Sequence, residues 1–110
     1  MDEMLGRSRG APGDAMDMPL DDLLASRSHV RVLRVLIWFG DDINLTGRDV
    51  ARHAGISHTR AQEVLQTLIA AGVVTRYREA TWAIYELNAQ SKLAPLVRSL
   101  FKRERQLTSA

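Results

Sequence analysis

A chain of 110 residues that is 45% hydrophobic and 25% charged has the composition of one globular domain with a modest core. It contains no cysteine, which excludes a disulfide framework and any thiolate-bound metal. No apolar run approaches the roughly 18 residues of a membrane span, and the N-terminus lacks the basic-then-apolar order of a signal peptide, so no membrane partner and a cytoplasmic location are expected.

Residues 1–19 carry glycines and prolines, no aromatic residue and no helical period, and read as a disordered leader. The net charge of +2 is unevenly spread. Residues 1–22 hold two arginines against six acids (net −4), leaving thirteen basic and seven acidic residues (net +6) in the body. A basic body suits a polyanionic partner. The folded domain is expected over residues 20–107.

Leu20 to Ala25 suits a short helical turn with Leu20, Leu23 and Leu24 on one side. Ser28 is placed to cap a stronger helix over His29 to Phe39, in which Val30, Leu33, Leu36 and Ile37 follow helical spacing and Arg31 and Arg34 lie opposite. Gly40 ends it, and His29, near its start, is expected on the surface. Asp41 to Leu45 reads as a turn leading into a very short extended piece.

Thr46 to Gly72 organises the rest of the chain. It predicts two helices, about Gly47 to Ala54 and His58 to Ala71, joined by a tight turn. Thr46 and Asp49 form a capping-box pattern, and Ser57 can cap the second helix. Leu45 with Val50, and Ile56 with Ala61, occupy the positions of hydrophobic staples. Gly55 stands where a left-handed residue closes a helix, and Ala51, four residues earlier, is small enough to let the helices cross closely. This spacing is that of a helix-turn-helix.

On the second helix Ala61, Val64, Leu65, Leu68 and Ile69 share one face. The opposite face carries Thr59, Arg60, Gln62, Glu63, Gln66 and Thr67, with Ser57 and His58 at its start. Such a face fits a major groove, where Arg60 would pair with guanine, Gln62 or Gln66 with adenine, and Ser57 and Thr59 with phosphate or a thymine methyl. Glu63 would accept from cytosine or pair with Arg60 or Arg78. His53 and His58, five residues apart across the turn, are weak evidence for a metal, and no metal or cofactor is expected.

Val73 to Arg78 and Trp82 to Leu87 read as two strands around Glu79-Ala80-Thr81. Ala83, Tyr85 and Leu87 are expected to face the helices, and Trp82 to pack back on the domain. Arg76 and Arg78 are placed to meet phosphate or a minor groove. Pro95 suits the first turn of a last helix, along which Leu93, Leu96, Val97, Leu100, Phe101 and Leu107 recur at three- and four-residue steps. That helix would either dock on its own domain or form half of a dimer interface, the second being favoured.

The order of helix, short strand, helix, turn, helix, two-stranded wing and helix resembles the winged helix-turn-helix repressors of bacteria and archaea. LTGRDVARHAGISHTRAQEVLQTLIAAGVVTRY and AIYELN carry the resemblance, which is to the ArsR-type and MarR-type groups and to small winged-helix modules associated with nucleotidyltransferases. It implies a mainly α fold with a small β-hairpin wing and an additional amphipathic C-terminal helix. The function implied is that of a sequence-specific regulator binding double-stranded DNA as a homodimeric repressor. Its DNA-facing surface would comprise Thr46, Arg48, Arg52, Ser57, His58, Thr59, Arg60, Gln62, Glu63, Gln66, Arg76 and Arg78. The alternative is a winged-helix protein-interaction module, with Trp82, Ile84 and the last helix as its patch. No catalytic constellation or phosphate-cradling glycine loop supports an enzyme.

Overall fold

The computed structural model describes residues 18–109. The expected leader, residues 1–19, lies outside the described residues except at its last two positions. Five helices follow in order: α1 (Pro19–Leu23), α2 (Arg27–Phe39), α3 (Gly47–Ala54), α4 (His58–Ala70) and α5 (Ala94–Thr108). Three strands, β1 (Leu45–Thr46), β2 (Val74–Glu79) and β3 (Trp82–Leu87), form one antiparallel sheet in the order β1-β3-β2. This is the winged helix-turn-helix architecture with a further C-terminal helix. Among the described residues, no helix is long and apolar enough to cross a membrane.

The start of α2 differs from the expectation. Ser26, not Ser28, is the cap: its backbone is extended and its hydroxyl accepts from His29 N–H at 3.2 Å. The helix therefore begins two residues early, with Arg27 and Ser28 inside its first turn. His29 shares the inner face of α2 with Val32, Leu33 and Leu36, three, four and seven residues on, and is 8% exposed rather than on the surface. Val32, Leu33, Val35, Leu36 and Ile37 are the buried face of α2, and Val30 is half-buried.

The helical pair follows its sequence signals closely. Thr46 accepts from Asp49 N–H at 3.2 Å while Asp49 Oδ2 accepts from Thr46 N–H at 3.0 Å. Gly55 has φ +71°, and Ile56 N–H reaches back to the Ala51 carbonyl at 3.1 Å, closing α3 as a left-handed residue allows. Ser57 accepts from Arg60 N–H at 3.0 Å. Ala61, Val64, Leu65 and Leu68 are buried, each large side chain contributing about 2 kcal/mol. This burial anchors α4 with its polar side turned outward.

In the wing, Glu79 pairs with Trp82, so the connection is a two-residue turn of Ala80 and Thr81. Ala80 has φ +57°, a conformation that β-hairpin twist demands and that alanine adopts at a cost. Tyr85 and Leu87 face the core as expected, with Ala83 half-buried. Ile84, on the opposite face of β3, is also buried at 5% exposure. It lies on the central strand, flanked by Thr46 on one side and Tyr77 on the other. Trp82, expected to pack back, is instead 62% exposed at the end of the hairpin.

The apolar residues of α5 divide into two stripes rather than one. Ala94, Val97 and Phe101 join the core against α2. Leu96, Leu100 and Leu107 remain exposed. The helix is held by Trp38, whose Nε1–H donates to the Phe101 carbonyl at 2.9 Å, and by Arg105, whose Nη1 donates to the Trp38 carbonyl at 3.2 Å. Docking on its own domain is thus present, and it leaves one stripe over.

Candidate nucleic-acid interface

The candidate surface is built from three pieces that the fold brings side by side: the start of α3, the outer side of α4 and the wing. Arg48, Arg52, Ser57, His58, Thr59, Glu63, Gln66, Arg76 and Arg78 are exposed, while Thr46, Arg60 and Gln62 are half-buried. A shallow pocket of 540 Å³ separates the start of α3 from the wing, with Arg48, Arg52, Trp82 and Ile84 on its walls.

Several of these side chains are already engaged. Thr46 uses its hydroxyl as the cap of α3. The Thr46 N–H, donating to Asp49, holds that carboxyl below the usual carboxylate range, and Arg52 adds to the effect through a 2.8 Å contact. Arg52, in the last turn of α3, is therefore a cation with an acid at its side, whereas Arg48, at the start of the helix, is exposed.

Arg60, expected to reach guanine, is tied back toward the domain. Its Nη2 donates to Ser26 Oγ at 3.2 Å and its Nη1 to Glu63 at 3.2 Å. Ser26 Oγ thus accepts twice, from Arg60 and from His29 N–H, and its own proton goes to His29 Nδ1 at 2.7 Å. A bare Nδ1 makes His29 a neutral ring. Burial, with the Arg60 charge nearby, pushes its pKa down. Glu63 pairs with Arg60 as one of the sequence alternatives had it, while Arg78 donates to the Thr81 carbonyl at 3.2 Å.

Gln62 is turned sideways, between Tyr85 of the wing and His58 of its own helix, both at 3.4 Å. Arg76 and Arg78 stand opposite Tyr85 and Ala83 in the β2–β3 register, so they lie on the sheet face that looks toward α4. His53, by contrast, leaves this surface and stacks on Phe39 with ring centroids 4.6 Å apart. The two histidines are thus held by different neighbours, and among the described residues no group of three side chains is arranged to hold a metal ion.

Ser26, Tyr85 and Gly47 are the supporting residues that sequence reading missed. Ser26 stands two residues before Ser28, which the helical spacing favoured as the cap. Tyr85 sat within a strand pattern that spoke only of packing. Gly47 did leave a signal: a glycine at the first position of a helix, where almost any other residue would serve the helix better.

Residues 25–81 match the MarR family. No curated protein matches the chain significantly. Among solved structures, the chain is similar to MepR, a transcription regulator of the Staphylococcus aureus multidrug efflux pump MepA, with a TM-score of 0.61 and 21% identity over 82% of this chain and 67% of that one. It is also similar to a homodimeric winged helix-turn-helix DNA-binding domain from Mycobacterium bovis, a possible ArsR-family regulator, with a TM-score of 0.59 and 20% identity over 92% of this chain and 88% of that one. These two share the fold. The family match spans more than half of the sequence, and the chain therefore belongs to the MarR family, as the winged-helix DNA-binding domain of a transcription regulator.

Proposed function

We propose that the protein is a sequence-specific repressor that binds a pseudo-palindromic duplex as a homodimer in the cytoplasm. The observation that carries this reading is the orientation of α4: its apolar side is sealed in the core, while His58, Thr59, Glu63 and Gln66 line an exposed polar side. Arg48, Arg52, Arg76 and Arg78 flank that side and supply phosphate contacts, hence most of the affinity and its dependence on salt. Occlusion of a promoter by the bound dimer is the mode of repression.

The exposed stripe of Leu96, Leu100 and Leu107 on α5 supports a second copy as the partner. The homodimeric state of the Mycobacterium bovis neighbour is consistent with this assembly. Two copies would set their α4 helices about one turn of DNA apart, roughly 34 Å.

The test combines selection from a random duplex pool with the mass in solution. The expected result is enrichment of an inverted repeat and a dimer mass, with Leu100→Lys giving a folded monomer. Recovery of no enriched sequence, with no retention on heparin, would instead favour the protein-interaction module; of its expected patch Trp82 and the leucines of α5 are exposed, but Ile84 is buried and Tyr77 takes its place beside Trp82 on the outer face of the wing.

A further inference from the structure

Gln62 lies one turn beyond His58 on α4, so the two side chains share a face. Tyr85 approaches from β3, and its hydroxyl donates to Gln62 Oε1 at 3.4 Å. With Oε1 on that hydroxyl, the amide nitrogen faces the imidazole, and Gln62 Nε2 lies 3.4 Å from His58 Nε2. An amide nitrogen carries two donors and nothing to accept with. The two nitrogens form a hydrogen bond only when the ring nitrogen is bare, which leaves the ring proton on Nδ1.

Gly47 makes the room for this arrangement. A Cβ at Gly47 would lie 2.3 Å from Gln62 Nε2 and 3.4 Å from His58 Nε2. Its value is the close approach, not backbone freedom, since Gly55 and Gly72 are the glycines of positive φ among the described residues.

We propose that Gln62 is a positioning residue for sequence readout: it holds His58 as the Nδ1–H tautomer, so that the first residue of α4 presents a hydrogen-bond donor to a purine acceptor in the major groove. The acceptors are guanine N7 and O6 or adenine N7. With the opposite tautomer the same ring would present an acceptor and select an amino group, on cytosine N4 or adenine N6. Tyr85 sets the amide, the amide sets the ring, and the ring sets the base. The proposal rests on the DNA-binding reading above and adds to it the identity of the group that is offered.

The experiment reads the ring directly, by nitrogen-resolved NMR of His58 at a pH where imidazole is neutral, in the full chain without DNA. The native protein is expected to carry the proton on Nδ1. Gln62→Glu has the same shape but only accepts, so it draws the proton to Nε2. Gln62→Leu gives a mixture of tautomers. Tyr85→Phe, the mildest change, shifts the ring part of the way and guards against a Gln62 variant that fails to fold. Selection from a random duplex pool is run on the same proteins. His58→Ala is expected to lose about tenfold preference at one base position, and Gln62→Glu to exchange the base chosen there.

A native ring protonated on Nε2 overturns the proposal and leaves the regulator reading intact. So does an Nδ1–H ring whose variants move no base preference, while the native protein still enriches a site. Failure of the native protein to enrich any duplex overturns both.

Discussion

Arg34 grips Glu104 with a two-pronged contact, Nε to Oε1 and Nη2 to Oε2, each 2.7 Å long. The guanidinium lies 5.7 Å from the centroids of both Trp38 and Phe101, so the fork is set among aromatic rings at the seam between α2 and α5. Glu104, accepting from Arg34, has its pKa held below the usual glutamate value, and Arg34 is raised for the same reason. The depressed carboxyl contributes stability that is complete above the unfolded glutamate pKa and is lost as pH falls through the folded one. Both side chains are partly exposed, which limits the effect. Glu104→Gln is expected to cost about 1 kcal/mol at neutral pH and almost nothing in strong acid. Urea unfolding of both proteins at the two pH values checks the convergence.

His29 gives a second dependence on pH, with the same sign at a higher range. Its folded pKa is depressed by burial, so the unfolded chain takes up the proton first as pH falls below the ordinary histidine value. Stability is fully present above that value and declines toward mild acid. A denaturation series from neutral pH downward should show the decline, and His29→Asn, which keeps an acceptor for Ser26, should flatten it. An unchanged slope in the variant would assign the effect elsewhere.

Ala80 is a residue whose replacement should help. At φ +57° its Cβ crowds the following carbonyl, and glycine relieves this. Ala80→Gly is expected to stabilise the protein by about 0.5 kcal/mol after the greater freedom of glycine in the unfolded chain is subtracted. Gly55→Ala is the converse, placing a Cβ at φ +71°, and should cost about 1 kcal/mol. Thermal melts of the pair should move in opposite directions.

Arg76→Ala should weaken binding to matched and scrambled duplexes alike, and reduce the slope of log affinity against log salt by about 1. Gln66→Ala, by comparison, should flatten sequence preference with little change in that slope. Arg60→Ala behaves differently from a simple base contact, because the guanidinium braces Ser26 and Glu63. It should lower thermal stability as well as affinity. Gel-shift titrations across salt, with melts of the same samples, separate the three.

Local chemistry explains what the sequence made legible. Capping residues, the left-handed glycine and the four-residue rhythm of α4 act within one or two turns, so Thr46 to Gly72 could be read almost residue by residue. The hairpin was equally visible, because β-branched and aromatic residues cluster there. Three features turn on how the elements sit against one another and were not legible. His29 is buried because it lies on the inner face of α2 and bonds Ser26, onto which Arg60 arrives from α4. Trp82 is exposed because it opens β3 directly after the turn, on the sheet face opposite Ala83 and Tyr85. The leucines of α5 look like one band until Val97 and Phe101 settle on α2 and turn Leu96 and Leu100 away. Among the surface residues, composition could name the polar side of α4 but not the sideways turn of Gln62, which needs Tyr85 to be seen beside it.

The Trp38 clamp has a further meaning for assembly. Its bonds to Phe101 and Arg105 fasten α5 to α2, and α2 in turn carries α3 and α4. In a dimer joined along Leu96, Leu100 and Leu107, the separation of the two reading heads is therefore dictated at this rivet, far from any base. A substitution at Trp38 would leave each half-site preference intact and change the number of base pairs tolerated between the halves.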